Sequence, residues 1–385
     1  MKRALKWIGI VLAALVVVLV GAIFYLKSAA AAKYEKKYDI EVQSIPIPFP
    51  LTPDEVSALR KSRAKKLAAT APANAPEPAA SAAPAGDAPV SPEAPAATAA
   101  APTEAAPAGA DAAPTVPAAA TPEVDALAGV DLNAIALERA IARGKRYMES
   151  RAGCTECHGA DLGGKVILDN PVMGTWIAPN ITRGGLTKNY KPEDWVKILR
   201  HGLRPDNTAA TMPSLDFAYF SDQELSDLAA YIRSVPPVER VMPPTVLGPV
   251  FSLLIVKGDI PVSAEVIDHT AKRAKYPPSI AATPELGEHL AHTCRGCHGP
   301  SLAGGPIQGG DPKWPPARNL TFDETGLAKW TRMDFLQAMR EGKRPDGTAI
   351  DPVMPIQYTK NLKDEEIDAL YIYLKTIPKK PFGTH

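Results

Sequence analysis

Cys154-Thr155-Glu156-Cys157-His158-Gly159 returns further along the chain as Cys294-Arg295-Gly296-Cys297-His298-Gly299. Each copy is a C-x-x-C-H, the pattern that attaches haem covalently: two thiols add to the two vinyl groups, and the adjacent histidine reaches the iron from one side. The chain has four cysteines, and these two pairs use all of them. That count excludes the dense disulfide framework of a small secreted fold. A zinc site would need the two distant pairs to converge while ignoring the histidine after each. A redox dithiol belongs in a βαβ pattern, which the sequence does not display. Two covalently bound haem c groups account for the cysteines and the histidines together.

A second axial ligand for each iron should recur at a matching distance. Met212-Pro213 lies downstream of the first motif, and Met354-Pro355 lies downstream of the second at nearly the same spacing. A lone methionine is more often a core filler than a ligand, but recurrence in both halves favours ligation. The candidate cofactor-binding set is therefore Cys154, Cys157, His158 and Met212 with Cys294, Cys297, His298 and Met354. Of these, His158, Met212, His298 and Met354 are the metal ligands. Met173 and Met242 have no counterpart in the other half and read as packing residues. His201, His269, His289, His292 and His385 have no matching histidine either, and read as structural or surface residues.

The flanking sequence repeats too. Asp131 to Arg151 alternates apolar and charged residues at helical period, with Gly144 available for a close helix contact, and Thr283-Pro284-Glu285 is a capping residue followed by proline at the first helical position. Ser221-Asp222-Gln223-Glu224 is a capping box ahead of Leu225, Leu228, Ala229 and Ile232 on one face. Ile367, Leu370, Tyr371 and Leu374 form the equivalent face, ended by Pro378 as the first is ended by Pro236. Each unit thus reads as helix, haem motif, loop, a middle helix around Trp195 or Phe335, methionine loop and helix. No convincing alternating strand is visible.

From about Asp131 to Pro236 and from Thr283 to Pro378 the sequence resembles the class I cytochrome c superfamily. It is especially similar to the cytochrome subunits of membrane-associated alcohol, aldehyde and sugar-acid dehydrogenases. The resemblance rests on Ala178-Pro179-Asn180-Ile181-Thr182 and Ala317-Arg318-Asn319-Leu320-Thr321, each with a glycine-leucine pair, Arg-Pro-Asp and Met-Pro after it. It implies His158 with Met212 on one iron and His298 with Met354 on the other. It also implies helix crossings near Gly144 with Tyr231 and near Gly287 with Tyr373. Those dehydrogenase subunits typically carry three haem units; this chain has two.

Lys2, Arg3 and Lys6 precede an apolar run from Trp7 to Leu26, closed by Lys27. About twenty helical residues cross the roughly 30 Å hydrocarbon core. The run reads as an uncleaved anchor with a cytoplasmic N-terminus. A cleaved signal peptide is the competing reading, and either one exports the remainder of the chain. From about Ala69 to Ala120 alanine and proline dominate, and such a stretch cannot bury enough apolar area to order itself. As a linker it reaches between roughly 40 Å and roughly 150 Å.

The expected fold is all-α: two tandem class I cytochrome c domains after an N-terminal transmembrane helix and a disordered Ala/Pro-rich linker. The expected boundaries are an anchor at 1–30, a juxtamembrane segment at 31–68, the linker at 69–122, cytochrome domains at 131–237 and 283–380, and a connector at 238–282. Val246 to Val256 within the connector is too short to span a bilayer and should cover a haem domain or join the two.

With 43 Lys and Arg against 42 Asp and Glu, no field suited to nucleic acid is expected. His/Met ligation leaves no open iron position and points to an electron carrier rather than an enzyme. The expected location is the bacterial cytoplasmic membrane, single-pass, with the haem domains in the periplasm. The expected partners are redox proteins: a quinol-oxidising complex, a terminal oxidase or reductase, or a dehydrogenase. Three roles are open. One is a tethered electron shuttle or relay in a respiratory chain, with the linker as a leash. The second is the electron-accepting subunit of a periplasmic dehydrogenase. The third is a dihaem enzyme such as a peroxidase or a thiosulfate-oxidising cytochrome. Repeated Arg204-Pro205-Asp206 and Arg344-Pro345-Asp346 are either propionate partners or shared turns. Trp176 and Trp314 either border the haem or pack.

Overall fold

A computed structural model describes residues 2–70 and 126–384. Most of the Ala/Pro-rich stretch and His385 lie outside the described residues. Residues 1–50 and 132–385 form one compact unit, and 51–131 form another. Helix α1 (Lys2–Glu35) carries the apolar run and is long and apolar enough to cross a membrane. Helix α2 (Pro53–Thr70) buries none of its residues. In its unit Arg63 Nε donates to the Ala126 carbonyl at 3.0 Å.

The first repeat begins with α3 (Leu132–Tyr147), which buries Ala136, Ala140, Gly144 and Tyr147 along one stripe. A π-helical turn, Met148–Ala152, and Gly153 at φ 55° separate it from the short α4 (Cys154–His158). Strands β1 (Lys165–Asn170) and β2 (Gly174–Ala178) then form an antiparallel hairpin. Helices α5 (Pro192–Val196) and α6 (Asp222–Ser234) complete the repeat. The Ser221–Glu224 capping box forms as read: Ser221 N–H donates to Glu224 Oε2 at 2.8 Å, and Glu224 N–H to Ser221 Oγ at 3.3 Å. Leu225, Leu228, Ala229 and Ile232 are all buried. Helices α3 and α6 meet where a Cβ on Gly144 would stand 2.0 Å from the Asp227 carbonyl oxygen. Only hydrogen fits in that crossing.

In the connector, β3 (Val246–Leu247) pairs antiparallel with β2, and α7 (Pro249–Lys257) and α8 (Ser263–Val266) come after it. The three-stranded sheet β1-β2-β3 is an addition to the helical frame. Its strands are short and only partly buried, so the alternation that betrays a strand never develops. The second repeat has no such sheet among its described residues: its elements are α9 (Pro284–His298), α10 (Arg332–Glu341), α11 (Ile356–Thr359) and α12 (Asp364–Thr376). Thr283 caps α9, its Oγ1 accepting from Leu286 N–H at 3.3 Å. Gly287 repeats the tight crossing, 2.0 Å from the Ala369 carbonyl oxygen, with Tyr373 Cβ at 2.5 Å.

Two apolar cores result. Tyr147, Trp195, Phe217, Phe220 and Leu228 belong to the first, and Leu290, Phe335, Leu370 and Tyr373 to the second. A third cluster joins Ala30 and Tyr34 of α1 to Phe251 and Ile255 of α7 and to Leu203 and Ala209 of the first repeat. The Val246–Val256 stretch therefore packs on α1 and covers the first repeat, and among the described residues it does not bridge the two repeats. Residues after α1 stay on the same repeat. Tyr38 N–H donates to the Asn207 carbonyl at 3.0 Å, Ser226 Oγ donates to the Pro46 carbonyl at 2.7 Å, and Ile45 and Phe49 enter the first core. The leash expected between anchor and haem domain is bypassed, because α1 is packed directly on the first repeat.

Candidate cofactor sites

His158 and His298 are both buried, at 7% and 8% exposure. Each Nδ1 faces a carbonyl, that of Pro179 at 2.8 Å and that of Arg318 at 2.7 Å. A carbonyl oxygen only accepts, so Nδ1 carries the proton and the Nε2 lone pair is left for a metal. These carbonyls belong to the repeated Ala-Pro-Asn-Ile-Thr and Ala-Arg-Asn-Leu-Thr segments. Asn180 Oδ1 accepts from Thr182 N–H at 3.0 Å, and its Nδ2 donates to the Val238 carbonyl at 2.6 Å. Asn319 does the same with Thr321 N–H at 2.8 Å and the Lys380 carbonyl at 2.7 Å. The asparagines thus pin the loop whose carbonyl aims the imidazole.

The thiols sit in apolar surroundings. Burial pushes Cys154 up to about 12 and Cys294 up to about 11, and burial raises Cys157 and Cys297 as well. A redox dithiol or a zinc ligand needs the opposite, a stabilised thiolate. Nor do the four sulfurs gather: Cys154 lies in the first core and Cys294 packs on the second. Among the described residues no three His, Cys, Asp or Glu side chains are grouped to hold a metal.

Met212 packs on the first core and Met354 on the second, each with the first cysteine of its own repeat. Their loops match in detail. Pro213 has φ −75° and ψ 63°, Pro355 φ −79° and ψ 65°. Ser214 N–H donates to the Met212 carbonyl and Ile356 N–H to the Met354 carbonyl, both at 2.8 Å. Buried Trp195 Nε1 has no partner in the polypeptide. A buried donor is rarely left unsatisfied, and a haem propionate is an acceptor of the right kind. Thiol pairs without a stabilised thiolate, aimed imidazoles, matched methionine loops and this spare donor all fit covalently bound haem.

The two repeats meet reciprocally. Tyr358, four residues after Met354, donates its hydroxyl to Glu156 Oε1 at 2.8 Å and lies 3.0 Å from Thr155 Oγ1, both inside the first haem motif. Asp216, four residues after Met212, faces Gly296 inside the second motif: a Cβ there would stand 2.4 Å from Asp216 Oδ1. Arg146 makes a two-pronged ion pair with Glu366 at 2.9 and 2.8 Å. At the related position His289 Nε2 donates to Glu224 at 2.9 Å, while Arg151 pairs with the same carboxylate at 2.7 Å. Burial alone would raise Glu224, but Arg151 and His289 hold its carboxyl far below the usual range. Tyr219 stacks on His292 with centroids 3.8 Å apart. Each methionine loop thus covers the other repeat's haem motif.

Other sequence candidates have these surroundings. Arg204-Pro205-Asp206 is a turn in which Asp206 Oδ1 accepts from Thr208 N–H at 3.0 Å, and Asp346 does the same with Thr348 at 2.9 Å. Trp176 packs on Phe251 at 5.7 Å, whereas Trp314 is 48% exposed. His201 and His269 are linked Nδ1 to Nδ1 at 3.0 Å. Met173 packs in the third cluster, and Met242 packs on the Gly164 loop. The sequence reading does not find the interface residues. Glu224 is visible in it only as part of a capping box and Glu366 not at all, and nothing local marks an acid at that position as also serving a second domain.

A family model described as cytochrome c matches residues 141–236 and 284–378. The chain is 29% identical over 277 residues to the fructose dehydrogenase cytochrome subunit of Gluconobacter japonicus, covering 62% of this chain and 53% of that one. It is 27% identical over 265 residues to a diheme cytochrome c-type protein of Cereibacter sphaeroides, covering 61% and 85%. It is also 27% identical over 277 residues to the cytochrome c subunit of a quinone alcohol dehydrogenase of Gluconobacter oxydans, covering 64% and 56%. The chain thus spans little more than half the length of the dehydrogenase subunits it matches.

Proposed function

Because its two repeats are cytochrome c domains with covalently bound haem c, we propose that this chain is a membrane-anchored two-haem electron carrier. It works on the periplasmic face of a bacterial cytoplasmic membrane. Cys154 and Cys157 hold one haem, with His158 and Met212 on its iron. Cys294 and Cys297 hold the other, with His298 and Met354. Haem ligated on both sides supplies one-electron exchange without a vacant iron position. The polypeptide's part is to fix and insulate. Pro179 and Arg318 carbonyls hold the imidazoles, and the two cores exclude water.

The observation that carries this reading is the reciprocal junction, in which Tyr358 sits on the first motif and Asp216 on the second. Electron tunnelling falls steeply with distance, and this junction draws the two haem motifs toward one another. Electrons enter at one domain and leave from the other to redox protein partners. Covalent attachment of this kind is completed outside the cytoplasm, which supports a periplasmic position for the residues after Lys27.

A second reading is the electron-accepting subunit of a periplasmic dehydrogenase. The names of the similar subunits favour it, and so does α1 packed on the first domain, since a fixed subunit has no need of a leash. Co-purification with a flavin or quinone dehydrogenase selects it. The carrier reading itself is tested by absorption spectra and redox titration of the purified chain with Met212→Ala and Met354→Ala made separately. Each substitution should remove the methionine–iron signature from one haem, lower that haem's potential and spare the other. A substitution without spectral effect discards that ligand.

A further inference from the structure

We infer that one face of the first cytochrome c domain, built from the β1–β2 turn, β3 and α7, is seated in the lipid headgroups and upper acyl chains of the bilayer beside α1. The inference rests on the reading of α1 as a membrane span. Along α1, Ile23, Leu26, Ala29, Ala30, Lys33 and Tyr34 are buried or half-buried at helical spacing, whereas the residues between Arg3 and Ala22 are all exposed. The element that α1 packs against is α7. Ile23 and Leu26 belong to the apolar run itself, and Ile23 lies roughly 5 Å nearer the bilayer centre than Leu26. The domain therefore reaches alongside the span and does not stop above it.

The rest of that face is apolar and uncovered among the described residues. Val172 in the β1–β2 turn is 52% exposed, Val246 in β3 53%, and Val250 and Leu253 of α7 37% and 40%. They are neighbours: Val250 N–H donates to the Val172 carbonyl at 3.2 Å, and Val246 pairs with Thr175 across the sheet. Four adjoining aliphatic side chains are costly to keep in water. Continuous with a bilayer-spanning helix, they are covered by the lipid that covers the helix.

The rim has the matching chemistry. Lys27, Tyr34 and Arg204 line one cleft of about 310 Å³ together with Val246 and Leu247, two cations there against the single carboxylate of Glu35. Tyr25 on α1 is exposed as well. Cations and amphipathic aromatics belong at headgroup depth. Seated this way, the first haem is carried at a fixed height over the membrane, and the second domain is the one open to partners.

The test places a spin label on the full haem-loaded chain in nanodiscs of phosphatidylcholine and phosphatidylglycerol, using Leu253→Cys, with Val17→Cys and Glu365→Cys as references. The expected result is a collision ratio, oxygen over a water-soluble nickel chelate, several-fold higher at 253 than at 365 and approaching that at 17. A label at 253 that meets nickel freely, or meets neither quencher, while 17 reports lipid, overturns the seating and leaves the anchor standing. Nickel contact at 17 overturns both. If the labelled chain loses its haem bands, a photoactivatable lipid added to the unsubstituted chain decides. Crosslinks on the peptide containing 249–257 support the seating, and crosslinks confined to α1 refute it.

Discussion

The two cytochrome c domains share one plan and differ in what has been built onto it. In the second domain α9 runs unbroken from Pro284 through its haem motif to His298. In the first, the corresponding path is interrupted by a π-helical turn and by Gly153 at φ 55°. Tyr358 of the second domain occupies the space beside Gly153, its ring 3.2 Å from where a Cβ would stand. The first domain also carries α1, the Ile45–Phe49 segment, the three-stranded sheet and α7, and the second carries none of these among the described residues. Correspondingly Cys154 is buried where Cys294 is half-buried, and Cys157 is half-buried where Cys297 is exposed. The first domain is wrapped by these additions, and the second is left comparatively bare among the described residues.

The harshest way to break this comparison is to attack what the domains share. Gly144→Ala and Gly287→Ala each force a Cβ to 2.0 Å from a carbonyl oxygen, so each should cost about 3 kcal/mol. Thermal unfolding monitored at the haem bands should show equal losses in the two variants. A mild effect at either position would mean that its crossing is looser than described.

The next test sharpens the asymmetry of the junction. Arg146→Ala leaves Glu366, 2% exposed at its side chain, without its cross-domain cation, at a cost of about 2 kcal/mol. His289→Ala leaves Glu224 still paired with Arg151 and should cost about 1 kcal/mol. Chemical denaturation of the two variants reads the order. Reversal would show that His289, and not Arg151, holds Glu224.

The smallest expected effect belongs to the first domain alone. Burial, His269 and Arg200 lower His201 from an ordinary 6.5 to about 4. Below about pH 6.5 the unfolded chain binds a proton that the folded chain refuses, so stability falls between about pH 6.5 and about 4 and then levels off. His201→Gln should flatten the first domain's melting temperature across that window and leave the second domain's profile unchanged. An unaltered slope would rule out His201 as its source.

Much of the site is legible in the sequence because the chemistry is local. C-x-x-C-H fixes the thiols and the imidazole within one helical turn, and repetition singles out Met212 and Met354 among eight methionines. The Ser221 capping box and the Gly144 and Gly287 crossings are legible for the same reason, since a helix start and a missing Cβ are properties of a few adjacent residues. The hairpin Lys165–Ala178 escapes because its strands are half-exposed and carry no alternation. Composition describes the Ala/Pro-rich stretch but is silent about residues 28–50, which fold back onto the first repeat and remove the need for a leash.

The two haem units and the apolar helix ahead of them are legible from the sequence alone, and so are the candidate ligands of each unit, because each of these is written in spacing, repetition or hydropathy over short distances. Folding in three dimensions is what lets Glu224 and Glu366 hold the domains together, brings Tyr358 and Asp216 across to the opposite haem motif, and sets α7 against α1. Those contacts join residues far apart in the chain, and their strength comes from burial and charge pairing that exist only once both surfaces are folded and facing each other.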